Sequence, residues 1–321
     1  MNINDIRDAA ERIKPFVKRT PLERSESLSD RFGTNVYVKY ELFQRTGSFK
    51  SRGGYNKLLQ MSDDDRSKGV VAVSGGNHAQ AVAFVANSLG IDAVIAMPEN
   101  TPLTYLNATR GYGAKVELMP NIADAFKRAN ELEAAGRTLI HPFDDDDVIA
   151  GQGTIGLEIL EDVPQVTDVV VSIGGGGLAA GVACAMKETN PAIRMWAVET
   201  VGADAMAQAL AAGKPVELAA ITSIAKTLGA PYVTERTLTA IERDFESVTV
   251  VPDAEAVREM LYIAERLKVI TEPAASATVA AADRLSANFS TDSHVVIILC
   301  GGNTSIKDAC GYLPLLAELE S

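Results

Sequence analysis

Short runs of β-branched residues alternate along the whole chain with longer stretches of helical period. The runs at 35–40, 69–74, 92–97, 115–118, 139–142, 168–173, 194–199, 248–251 and 294–300 predict strands. Between them, 77–89, 123–135, 152–161, 178–189, 253–267 and 273–285 repeat apolar residues at helical spacing and predict helices. Runs such as Val70-Val71-Ala72-Val73 are apolar at every position. A strand of that kind is buried on both faces, as in a parallel sheet covered by helices. The alternation predicts an α/β fold, with parallel-rich sheets and helices on both faces. No internal repeat or low-complexity linker interrupts it.

Composition adds bounds to this picture. The chain has 321 residues, 47% hydrophobic and 22% charged, which is enough to bury a large core and form two compact lobes. A net charge of −12 argues against nucleic-acid partners and anionic membrane surfaces. The first residues, Met1-Asn2-Ile3-Asn4-Asp5, carry no apolar signal region, and no long apolar span follows. Cys184, Cys300 and Cys310 form no disulfide framework, so a cytoplasmic protein with reduced thiols is expected. The acidic runs 63–65 and 144–147 read as solvated faces or helix N-caps.

The most informative stretch is Thr46-Gly47-Ser48-Phe49-Lys50-Ser51-Arg52-Gly53. One lysine stands between an aromatic and a Gly/Ser-rich turn where a helical pattern begins. Desolvation there, beside Arg52, lowers an amine's pKa and frees it as a nucleophile toward a carbonyl. Three distant segments share another form: a β run, a Gly-rich turn, then a helix start. They are Ser74-Gly75-Gly76-Asn77-His78, Ser172-Ile173-Gly174-Gly175-Gly176-Gly177-Leu178, and Cys300-Gly301-Gly302-Asn303. Such turns set backbone N–H groups and a positive dipole end at the edge of a parallel sheet. Three of them with one candidate lysine describe a site for a phosphorylated carbonyl cofactor.

In number and order these motifs resemble the fold type II pyridoxal phosphate enzymes (tryptophan synthase β-like), specifically the serine/threonine dehydratase and serine racemase group. Further matches are Arg12-Ile13-Lys14-Pro15, Arg19-Thr20-Pro21-Leu22, His141-Pro142-Phe143-Asp144, Gly151-Gln152-Gly153-Thr154 and Glu272-Pro273, so the resemblance runs nearly end to end. It implies a two-lobed protein, with residues 1–51 and 147–321 forming a large cofactor-binding domain and 52–146 a small one. The extra regulatory domain of many biosynthetic threonine deaminases is not expected here.

The resemblance also implies roles. Lys50 carries pyridoxal 5'-phosphate as a Schiff base and removes the substrate's Cα proton. Gly174, Gly175, Gly176, Gly177 and Leu178 cradle the phosphate, Phe49 lies beside the lysine, and Asn77 bonds the cofactor's phenolic oxygen. Ser74, Gly75, Gly76, Asn77 and His78 hold the substrate carboxylate, and Gln152 helps to form the substrate pocket. Cys300 faces the pyridine nitrogen, as in liver-type serine dehydratases. A neutral partner there favours loss of the β-hydroxyl over a long-lived carbanion. The expected reaction is dehydration and deamination of a β-hydroxy-L-amino acid such as L-threonine or L-serine, giving a 2-oxo acid and ammonia. Relatives are usually homodimers or homotetramers.

Departures from the family pattern sharpen this. Racemases of the group carry a serine where this chain has Gly75, which cannot move a proton, so at most weak racemisation is expected. A cation site of some relatives matches Glu199 and Ala203, but its second acidic position is Ala205, with Asp204 adjacent. No arginine stands near 122–126, which disfavours 3-hydroxyaspartate against a neutral substrate. Lys226 replaces an acidic residue expected in close relatives. Phenylserine dehydratase and serine racemase activities are alternatives within the group. Outside it, Gly174-x-Gly176-x-x-Ala179 with Glu199 also fits a nicotinamide-dinucleotide fingerprint, and a cofactor-binding sensor is a further rival.

Overall fold

The computed structural model describes residues 1–319. In chain order the strands are β1 Leu22–Arg24, β2 Asn35–Lys39, β3 Val70–Val73, β4 Ala93–Pro98, β5 Lys115–Met119, β6 Thr138–Leu139, β7 Asp168–Ser172, β8 Arg194–Thr200, β9 Phe245–Val251 and β10 His294–Ile298. The helices are α1 Ile3–Ile13, α2 Glu26–Phe32, α3 Lys50–Leu58, α4 Asp63–Lys68, α5 Asn77–Ser88, α6 Leu103–Gly111, α7 Ile122–Ala134, α8 Asp146–Asp162, α9 Gly177–Thr189, α10 Ala205–Ala212, α11 Glu235–Asp244, α12 Asp253–Arg266, α13 Pro273–Leu285 and α14 Ile306–Tyr312.

Two sheets result. The larger runs β1-β2-β10-β7-β8-β9 and the smaller β5-β4-β3-β6. Every pairing is parallel except β1 with β2. The all-apolar runs behave as expected: β3 and β7 are buried at every residue, with helices on both sides. Each sheet anchors its own core, around Val169, Val198 and Ile297 in one and Val70, Ile95 and Val82 in the other.

Some boundaries differ from the sequence expectation. The strand expected at 139–142 is β6, only two residues long, because the chain turns away after pairing Val70 and Val71. α8 starts earlier than expected, at Asp146, because Asp145 caps it by accepting from the Asp147 and Val148 N–H groups. The other acidic run, Asp63 to Asp65, fills the first turn of α4.

A buried charge cluster ties α3 to α8 and the loop after β2. The Arg52 guanidinium donates to Glu41 (2.8 Å) and Glu158 (2.7 Å), and Lys39 donates to Glu158 and to the Thr20 carbonyl. Arg52, Lys39 and Glu41 are fully buried. Removing one member of such a cluster strands a charge in a low-dielectric interior. Among the described residues, no helix is long and apolar enough to cross a membrane.

Candidate active site

Lys50 opens α3, and the turn before it is stitched to the turn after β10. Phe49 N–H donates to the Cys300 carbonyl (3.2 Å), Gly302 N–H to the Gly47 carbonyl (2.9 Å), and Ser48 bridges Gly301. Residues far apart in sequence are thereby held face to face. The chain can make this turn because Thr46 and Gly47 both adopt left-handed backbone, at φ 60° and 72°.

The Lys50 amine donates to the Pro142 carbonyl at 2.9 Å and lies 5.1 Å from the Phe49 ring centre. Loss of solvation pulls its pKa down to about 8, against the opposing influence of Cys300 and Glu272. Cys300 is buried, with its sulfur 3.6 Å from Ser172 Oγ. Burial pushes its thiol up to about 12, so it is neutral at physiological pH.

Gly174 to Gly177 link β7 to α9. A Cβ on Gly175 would fall inside the Phe143 ring, and one on Gly174 would lie 3.0 Å from the Leu228 carbonyl oxygen. Close packing, not only turn geometry, therefore demands glycine here. The first N–H groups of α9 have no partner within the helix and form a cradle for an anion.

On the other side, Asn77 and His78 begin α5 directly after the β3 turn. Ser74 Oγ accepts from Gly76 N–H at 3.0 Å, shaping that turn. The His78 ring pairs its Nε2 with the Ile140 carbonyl at 2.8 Å, so that nitrogen carries the proton. Burial, with Lys50 adding to it, pulls the imidazole down to about 3 and keeps it neutral. What His78 offers to a ligand is therefore its backbone N–H at the helix start.

All the candidate cofactor- and substrate-binding residues except one line a single cavity of about 580 Å³. They are Phe49, Lys50, Ser74 to His78, Gly174 to Leu178 and Cys300. The exception is Gln152, which lies on α8 beneath α3, its Oε1 accepting from Gly53 N–H at 3.3 Å. Glu199, candidate for a cation or a ribose hydroxyl, instead receives the N–H groups of Met206 (2.9 Å) and Ala207 (2.8 Å) at the start of α10. Among the described residues no group of three His, Cys, Asp or Glu side chains could hold a metal ion.

Three lining residues had no role in the sequence reading. Glu272 is buried and accepts from Asn77 and Thr227. Thr101 carries a buried hydroxyl without a partner, beside Gly75. Phe143 packs on the glycine run. Glu272 left a local signal: Pro273 at the first position of α13 marks it as the residue before a helix, where its carboxylate is free to turn inward.

A desolvated amine, a neutral thiol and an anion cradle that side chains would fill together suit pyridoxal phosphate. Lys50 would hold its carbonyl carbon, the α9 start its phosphate, Asn77 its phenolic oxygen and Cys300 its ring nitrogen.

Comparison with known proteins agrees. Residues 13–301 match the family model described as pyridoxal-phosphate dependent enzyme. The chain is 39% identical to the catabolic L-threonine dehydratase TdcB of Staphylococcus aureus, over 98% of this chain and 92% of that protein. It superposes on maize serine racemase with a TM-score of 0.92 at 37% identity, covering 99% of this chain and 98% of that one. Processed threonine deaminase isoform 2 from Solanum lycopersicum gives a TM-score of 0.92 at 32% identity, covering 98% and 88%. The nicotinamide reading falls away, and this chain belongs to the family of pyridoxal-phosphate dependent enzymes.

Proposed function

We propose that this protein is an ammonia-lyase that dehydrates and deaminates a β-hydroxy-L-amino acid, with L-threonine or L-serine as the reference substrates. The observation that carries the reading is the pairing of a desolvated lysine amine with a neutral thiol across one cavity. The similarity to threonine dehydratase and threonine deaminase supports it.

When bound, pyridoxal phosphate supplies an electron sink for the charge that develops at the substrate's Cα. The protein's own groups do the rest. N–H groups from Ser74 to His78, at the positive end of α5, hold the substrate carboxylate. The Lys50 amine, neutral in an appreciable fraction near pH 7, takes the Cα proton. Cys300 brings no negative charge to the ring nitrogen, so a carbanion is poorly stabilised and the Cβ–O bond breaks as the Cα–H bond does. The β-hydroxyl takes up one proton, matching the one that Cα gives to Lys50, and leaves as water; one water re-enters by hydrolysis, and the net products are a 2-oxo acid and ammonia. Gly75 provides no proton donor opposite Lys50, which favours elimination over racemisation.

A second reading concerns the substrate's distal end. The outer wall of the cavity is apolar around Ile122, Phe126, Ala220 and Ile221, but Lys226 also lines it. Its ammonium has no ion-pair partner among the described residues. A free cation there suits a substrate with a second carboxylate, such as 3-hydroxyaspartate. Turnover of L-threonine, L-serine and 3-hydroxyaspartate by the wild type and Lys226→Ala separates the two. A neutral substrate is unaffected by the substitution, whereas an acidic one loses affinity.

We propose the lobe limits at 51/52 and 146/147, a cytoplasmic location, and a homodimer or homotetramer. Sedimentation equilibrium of the cofactor-loaded protein reads the last.

A further inference from the structure

We propose that Asn303 and Glu272 are positioning residues that fix which way the Asn77 amide faces the cofactor. The inference rests on the reading of Asn77 as a cofactor ligand and extends it to two residues outside that set.

An asparagine amide fits its space in two orientations that exchange oxygen and nitrogen, and only its neighbours decide between them. Here the decision starts from a group with one possible role. The Thr46 carbonyl can only accept, and it lies 2.7 Å from one end of the Asn303 amide. That end is therefore the NH₂ group. The same nitrogen lies 2.8 Å from the Asn77 amide, so the atom Asn77 presents there is its oxygen. The opposite end of Asn77 must then be NH₂. It faces the two Glu272 oxygens at 2.9 and 3.1 Å, which can accept. The assignment closes without conflict from a backbone carbonyl to a carboxylate.

Glu272 is held in turn. The Thr227 hydroxyl donates to it at 2.8 Å, and the Asn303 backbone N–H also points to it. Tyr105, on α6 beside the smaller sheet, donates to the Asn303 carbonyl at 2.5 Å. Both Glu272 contacts come from the Asn77 amide nitrogen, on a side chain that lines the cavity.

The surrounding backbone makes room for this relay. Thr46 holds φ 60°, uncommon for a residue with a side chain, and thereby offers its carbonyl to Asn303. A Cβ on Gly301 would lie 2.7 Å from Glu272 Oε1 and 3.1 Å from Asn77 Nδ2. Gly301 does not have positive φ, so no turn requirement explains it. The relay does.

The test uses cofactor-loaded Asn303→Asp, Asn303→Ala and Glu272→Ala, with Asn77→Ala as the reference. Aspartate has the size of asparagine but cannot donate, so a packing role survives Asn303→Asp and a positioning role does not. The readouts are the visible absorption band of bound cofactor, the rate of pyridoxal phosphate release, and kcat/KM. The relay predicts that all three variants shift the band in the same sense as Asn77→Ala. They should also release cofactor about tenfold faster than the wild type, the worth of roughly one hydrogen bond. Wild-type band and release rate in both Asn303 variants, with Asn77→Ala altered, overturns the relay. Should Asn303→Asp fail to fold, Asn303→Ala carries the same decision. An unaltered Asn77→Ala removes the cofactor-ligand reading itself, and with it the relay.

Discussion

Lys50 Nζ donates to the Pro142 carbonyl at 2.9 Å, joining the start of α3 to the chain leaving the smaller sheet. Both residues line the cavity. If that amine is both cofactor anchor and base, Lys50→Ala should lose the visible cofactor band and at least about a thousandfold in 2-oxo acid release. A variant that keeps either one separates anchoring from proton transfer.

The amine's ionisation makes a second prediction. Only the neutral amine attacks a carbonyl, so the rate at which apoprotein captures pyridoxal phosphate should rise with pH and level off above about 8. Stability follows the same group. Between about 8 and the ordinary lysine value of 10.5, the unfolded chain binds a proton that the folded chain does not. The Lys50 contribution to apoprotein stability therefore rises with pH across that window and is lowest below it. Urea titrations of wild-type and Lys50→Met apoprotein at pH 7.5 and 9.5 check this, and the difference between the two proteins should shrink at the higher pH.

Gly75 is crowded as well as inert. A Cβ there would lie 2.7 Å from the Thr101 hydroxyl, itself buried and without a partner. Gly75→Ser alone should cost roughly 1–2 kcal/mol in stability through that contact. Gly75→Ser with Thr101→Ala should recover most of the loss. It should also increase racemisation relative to elimination, because a hydroxyl then stands across the site from Lys50. Chiral analysis of residual substrate measures the ratio, and an unchanged ratio in the double variant removes the missing second base as the reason for elimination.

How much of this was legible in the sequence depends on residue separation. β3 with the start of α5, and β7 with the glycine run and α9, each lie within one short segment, and their patterns were unambiguous. The site residues on those turns could be named from the motifs. β1 was invisible because three half-exposed residues carry no periodicity, and its antiparallel pairing is set by β2 alone. β6 was misplaced because pairing with β3, not its own composition, ends it. Asn303, Glu272 and Thr101 lacked roles for a related reason. Their neighbours are brought near only by tertiary packing, and no local pattern records them. Gln152 shows the converse: it lies in a recognisable motif, yet α3 covers it.

The Arg52 cluster gives a stability test that the chemistry does not enter directly. Arg52→Ala would leave Glu41 buried without its guanidinium, and should cost about 3–5 kcal/mol. Arg52→Lys should recover little, because one ammonium cannot serve Glu41 and Glu158 in the bidentate manner observed. Denaturant unfolding of the two variants compares them directly.

The central claim is elimination from a β-hydroxy-L-amino acid. Its most direct test incubates cofactor-loaded protein with L- and D-serine, threonine, 3-hydroxyaspartate and phenylserine, and follows 2-oxo acid release together with the cofactor band. The account predicts stoichiometric 2-oxo acid and ammonia from at least one L-isomer, with its D-isomer turned over far more slowly. A persistent cofactor band with no 2-oxo acid from any member of the panel would contradict it.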